Sequence, residues 1–111
     1  MCMNGHNHID GMTVRHGVYF MNVNSISNIW LGDQYSCVRY SDEIDREYPY
    51  IKKTAPYLNP FYAIVTMPDD RIVIEGTKSE FVGPSPCELG YPEKESELIS
   101  TAVISDHVLL L

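Results

Sequence analysis

FYAIVTMPDDRIVIEGT, residues 61–77, sets two apolar, β-branched runs on either side of Pro68-Asp69-Asp70. Proline presets φ at a turn and aspartate accommodates the tight backbone beside it, so the stretch predicts a β-hairpin. Strand side chains alternate between faces, which puts Ile72 and Ile74 on one side and Arg71, Val73 and Glu75 on the other. A hairpin of this kind commits at least part of the chain to antiparallel sheet.

The segment upstream has a different period. In SDEIDREYPYIKKTAPYL, residues 41–58, the apolar positions Ile44, Tyr48, Ile51, Ala55 and Leu58 recur at spacings of four, three, four and three. That is one face of an α-helix. Ser41 is a ready N-cap; Asp42, Glu43 and Asp45 suit the positive N-terminal end, and Lys52 and Lys53 the negative one. Pro49 removes a backbone donor and crowds the preceding turn. The expectation is a helix over 42–48 with a second turn from Pro49, or one kinked helix, ended by Asn59-Pro60.

Toward the N-terminus, residues 13–23 (TVRHGVYFMNV) are β-prone and interrupted by Gly17. Read as a strand, they carry apolar side chains on both faces, and Asn24-Ser25 ends them. Two further strands are expected around 28–31 and 35–40, joined by Gly32-Asp33-Gln34. Residues 1–10 have no period and read as an irregular N-terminal segment, mobile unless the fold ties it down. Toward the C-terminus, the prolines and glycines of 78–97, with Glu93, Glu95 and Glu97, predict a long surface loop. The β-branched residues Ile99, Thr101 and Val103 favour a closing strand or terminal hairpin over a helix, with Ser105-Asp106 as a break before His107. Together these elements describe a small single α+β domain over 1–111. It is mainly an antiparallel sheet of about five to seven short strands, with one helical segment near 42–58.

Charge narrows the partners. The chain has 15 acidic and 8 basic residues, a net charge of −7, and no cluster of Lys and Arg to neutralise phosphates. Direct nucleic-acid binding is therefore not expected. Apolar runs such as Val108–Leu111 are far too short to span a membrane and no signal peptide is visible, so neither a membrane span nor export is expected. Cys2, Cys37 and Cys87 form no CxxC pair, which suits reduced thiols in a cytoplasm. No nucleophile elbow or phosphate-binding glycine loop is present, and the chain reads as a non-enzyme.

Two constellations remain. The first is Cys2, His6, His8, Asp10 and His16. In an extended strand His6, His8 and Asp10 would share a face, and imidazole and carboxylate are ordinary ligands of zinc or another transition metal. The same residues also suit a plain polar chain end. The second joins Asp42, Glu43, Asp45 and Glu47 to Tyr48 and Tyr50. Acids steer a basic partner and tyrosines anchor interfaces, so these six residues predict docking on a protein with a basic patch. One version is an inhibitor that masks a nucleic-acid-binding groove, by class-level analogy with compact acidic proteins encoded by bacteriophages. A third reading is a homo-oligomeric structural subunit, with Val18–Val23 and the terminal HVLLL in subunit contacts.

Overall fold

The computed structural model describes residues 1–92 and 101–111. The glutamates at 93, 95 and 97, and Ile99, lie outside the described residues. Among the described residues eight strands form three small sheets: β1 (Cys2–Asn4), β2 (Gly11–Arg15) and β3 (Val18–Asn22); β4 (Asn28–Trp30) and β5 (Thr54–Pro56); β6 (Ala63–Thr66), β7 (Arg71–Gly76) and β8 (His107–Leu110). The one α-helix among the described residues is α1 (Asp42–Glu47), with single 3-10 turns at Asp33–Tyr35 and Ile51–Lys53. This is a small α+β domain dominated by antiparallel pairs, and no helix among the described residues is long and apolar enough to cross a membrane.

The 61–77 hairpin forms as its residues require. β6 pairs antiparallel with β7, and β8 closes the other side of β7. Ile72 and Ile74 are buried while Arg71 and Glu75 are exposed, so the alternation holds. Gly76 ends β7 where the backbone of Ile104 passes against it. A β-carbon there would collide with the Ile104 carbonyl, so only glycine fits.

Residues 13–23 are not one strand. They are two, folded on the His16-Gly17 turn, with Arg15 opposite Val18 and Met12 opposite Met21. His16 (φ 51°) and Gly17 (φ 75°) supply the two positive φ values that a two-residue type I′ connection requires. Histidine enters that region more readily than most residues, which is how a turn without Asn-Gly closes this hairpin. β1 then adds to the other side of β3 in parallel, with Cys2 opposite Phe20 and Asn4 opposite Asn22. Residues 2–4 are thereby tied to the sheet.

The middle of the chain differs from expectation in its pairing. β4 forms, but residues 35–40 are not its partner: Asp33–Tyr35 is a 3-10 turn and β4 pairs with β5, Ile29 opposite Ala55. The helix, by contrast, ends where Pro49 was expected to end it, and a 3-10 turn follows. Tyr48 N–H still reaches the Ile44 carbonyl (2.8 Å), whereas Pro49 has no N–H to continue the ladder. Ala55, counted on sequence as a helix-face residue, is instead fully buried in β5.

The core is short: Met21, Ile29, Leu31, Ala55, Tyr57, Phe61, Ile72, Ile74, Ile104 and Leu109. Tyr57 sits among the aromatics, its ring 4.5 Å from Phe61 and 5.5 Å from Phe81. The described part of the predicted 78–97 loop is held down rather than free. Leu58 N–H bonds to the Glu80 carbonyl (2.7 Å), Val82 N–H bonds to the Pro56 carbonyl (2.9 Å), and Arg39 donates to the carbonyls of Val82 and Pro84.

Residues 101–111 stitch the sheets together. The buried Asn24 amide donates to the carbonyls of Thr101 (2.9 Å) and Val103 (3.1 Å) and accepts from the Tyr57 hydroxyl (3.0 Å). Asp10 accepts from the backbone and hydroxyl of Ser105, Asp106 accepts from Gly76 N–H (2.7 Å), and Tyr19 donates to the Leu110 carbonyl (3.2 Å). Of the expected closing strand, only His107–Leu110 is regular; Val103 contributes an isolated bridge to Lys78.

Candidate functional site

α1 owes its start to Ser41, whose hydroxyl accepts from Ile44 N–H (3.4 Å), and its polarity to Asp42, Glu43 and Asp45 in the first turn. Helices of globular domains ordinarily bury one stripe, but no residue of α1 is buried. The chain then turns through Tyr48-Pro49-Tyr50 into the 3-10 turn, with Ile51 N–H on the Tyr48 carbonyl and Lys53 N–H on the Tyr50 carbonyl, both at 3.0 Å. Tyr48 is 56% and Tyr50 64% exposed, far more than rings used for packing.

These rings border a cleft of about 500 Å³ lined by Glu47, Tyr48, Pro49, Tyr50 and Ile51, with Asn28, Thr54 and Pro56 from the β4–β5 pair among the remaining walls. One side of it is fixed in place. The Lys53 ammonium lies 2.7 Å from an Asp33 carboxylate oxygen and 5.1 Å from the centre of the Tyr50 ring. The hydrogen bond to Asp33, helped by that carboxylate's charge and opposed by desolvation, raises Lys53 above the ordinary lysine value. Lys53 thus links Asp33 to the face of the Tyr50 ring.

The six predicted partner-binding residues separate into two groups. Glu47, Tyr48 and Tyr50 meet at the cleft, and Glu43 lies one turn before Glu47 on the same helix face. Asp42 and Asp45 turn the other way, into a depression shared with Val38, Arg46 and Lys52. Neither carboxylate forms an ion pair with Arg46 or Lys52, although all four side chains line that depression. Asp45 is half-buried, and one of its carboxylate oxygens has no hydrogen-bond partner among the described residues. The cleft walls from β4 and β5 were not readable in the sequence. They belong to the site only through the pairing of residue 28 with residue 56, and no local signal announces that contact.

The N-terminal cluster has a different geometry from the one its spacing suggested. His6 (φ 77°) and His8 (φ 55°) lie in left-handed backbone, so 6–10 turns between β1 and β2 instead of running extended with its odd and even residues on opposite faces. Asn22 organises that turn, its carboxamide oxygen accepting from Asn4 (3.1 Å) and Asn7 (3.4 Å) and its amide donating to the Ile9 carbonyl. The Asp10 carboxylate is occupied by Ser105, and His16 stands at the far hairpin turn. Among the described residues no group of three or more His, Cys, Asp and Glu side chains is placed to hold an ion.

No family model, curated protein or solved structure matches the chain.

Proposed function

We propose that the chain is a protein-docking module whose contact surface is the Tyr48–Tyr50 cleft with Glu43 and Glu47 on its rim. The observation that carries this reading is an unburied helix leading directly into two exposed tyrosines that line one cavity. Exposed rings beside a concave apolar wall are what an interface centre needs, and the acids at the rim set the sign of the partner. The partner presents a basic patch with an apolar side chain to enter the cleft. Where that patch is itself a nucleic-acid-binding surface, docking masks it and inhibition follows. Asp42 and Asp45 contribute long-range attraction through the net charge of −7 rather than direct contact.

Titration of isotope-labelled chain with Lys/Arg-rich peptides carrying one aromatic or leucine anchor tests this by NMR. Shifts are expected at Glu43, Glu47 and 48–51, weakening as salt rises from 50 to 500 mM because rim charges are screened over about one Debye length. Replacing both tyrosines by alanine should lower affinity about thirtyfold or more, as loss of an interface anchor does. Glu43→Lys with Glu47→Lys should weaken binding more than Asp42→Lys with Asp45→Lys. Uniform shifts over the whole surface, insensitive to the tyrosines, would reject the cleft as the contact.

A further inference from the structure

We propose that the outward face of the β6–β7–β8 sheet is a self-association surface whose occupant is a second copy of this chain, packed face to face about a two-fold axis. The register defines the two faces. Ile72, Ile74 and Leu109 point into the core, while Ile64, Val73, Val108 and Leu110 point away from it, alongside Thr66, Arg71 and Glu75. An antiparallel sheet with one solvated face ordinarily makes that face polar. Here Ile64 is 55%, Val108 63% and Leu110 70% exposed, so the outward face is apolar and uncovered. Contiguous exposure of this kind marks an interaction surface.

Charge identifies the occupant. Arg71 and Glu75 stand two residues either side of Val73 on the central strand, both exposed. Along a strand they are about 13 Å apart, too far to pair within one chain. A two-fold axis midway between two facing sheets, passing over Val73 and perpendicular to β7, reverses the strand direction. It lays Val73 and Val108 on their own copies and each Arg71 on the Glu75 of the second copy. The patch is therefore complementary to itself, as an isologous contact must be. Sheets packed in this way sit about 10 Å apart with their side chains interleaved. A three-stranded face is smaller than a standard interface of about 800 Å² per partner, so the association is weak and reversible, in the range of tens to hundreds of micromolar.

Sedimentation equilibrium over a series from about 10 μM to 1 mM tests it, that range bracketing the affinity expected for so small an interface. The mass should rise from one chain of 12.7 kDa toward two. Leu110→Glu should hold it at one. Arg71→Glu and Glu75→Arg should each weaken association about tenfold by setting like charges together, and the double variant should restore it. Arg71 also touches Asp70 (2.9 Å), but Glu75→Arg cannot repair that contact, so recovery in the double variant isolates the pairing between copies. Circular dichroism melts check that the variants fold, and the charge pair keeps the test decisive if Leu110→Glu does not. A wild-type chain that stays at one mass to 1 mM, a dimer untouched by Leu110→Glu, or a double reversal that fails to recover overturns the proposal.

Discussion

Asn24 shows how much a single polar residue carries here. It is 3% exposed, and its side chain has every hydrogen-bonding position filled, by Thr101, Val103, Tyr57 and the N–H of Ser25. Buried polar groups cost little when paired and about 1–3 kcal/mol each when left without a partner. Asn24→Ala strands the Tyr57 hydroxyl and two carbonyls together, and a loss of about 3 kcal/mol or more in urea unfolding is expected. Tyr57→Phe should cost only about 1 kcal/mol, and it carries a pH signature as well. Burial pushes the Tyr57 hydroxyl above the ordinary tyrosine value of 10.0. The folded chain therefore keeps a proton that the unfolded chain releases. Stability should be intact below pH 10 and fall above it by roughly 1 kcal/mol per pH unit, a decline that the Phe variant should shed in part. On sequence Asn24 was visible only as a strand breaker, because Tyr57, Thr101 and Val103 lie 33 to 79 residues away. Gly76 was equally opaque: its need for a bare backbone comes from Ile104, not from its neighbours in the chain.

At the scale of elements, what was legible was what local physics decides. The 61–77 hairpin, the Ser41 cap and the stop at Pro49 each follow from residues within a few positions. Pairing over longer spans was not legible, and two errors trace to it. Residues 35–40 look as strand-like as 28–31, yet β4 takes β5 from across α1, since Ala55 and Tyr57 fill the core and Val38 (63% exposed) would not. The β2–β3 hairpin was hidden by its turn, which uses His16 where Asn would have announced it. Three expectations belong here. His16→Asn should raise the unfolding midpoint slightly and Gly17→Val should lower stability by about 1–3 kcal/mol, since a β-branched residue is strained at φ 75°. Ser41→Ala should barely change global stability, because no residue of α1 is fully buried, but should speed amide exchange over 42–48 by loosening the first turn. That dissociation of local from global stability also isolates the docking surface: a frayed α1 would weaken partner binding without unfolding the domain.

At the scale of the molecule, the chain is long and thin for its size. Its extents are 52 × 26 × 19 Å and its radius of gyration 15.9 Å, against about 13 Å for a compact domain of this length. Composition foretold the charge but not this shape, which depends on how three sheets share one narrow core. Such a layout leaves few contacts between its ends, and cooperativity then rests on the strap of residues 101–111. Asp10 is the strap's hold on the β1–β3 sheet, Asn24 its hold on the link from β3 to β4, and Asp106 and Ile104 its hold on the β6–β8 sheet. Asp10→Ala removes the first of these without touching the core, leaving the Ser105 N–H and hydroxyl to water. Native-state hydrogen exchange should then show β1, β2 and β3 opening about 1–3 kcal/mol more easily while β6 and β7 keep their protection. An equal loss in all three sheets would mean that the strap transmits the damage and the molecule opens as one unit. Unchanged exchange would place the coupling in Tyr19 and its bond to Leu110 instead.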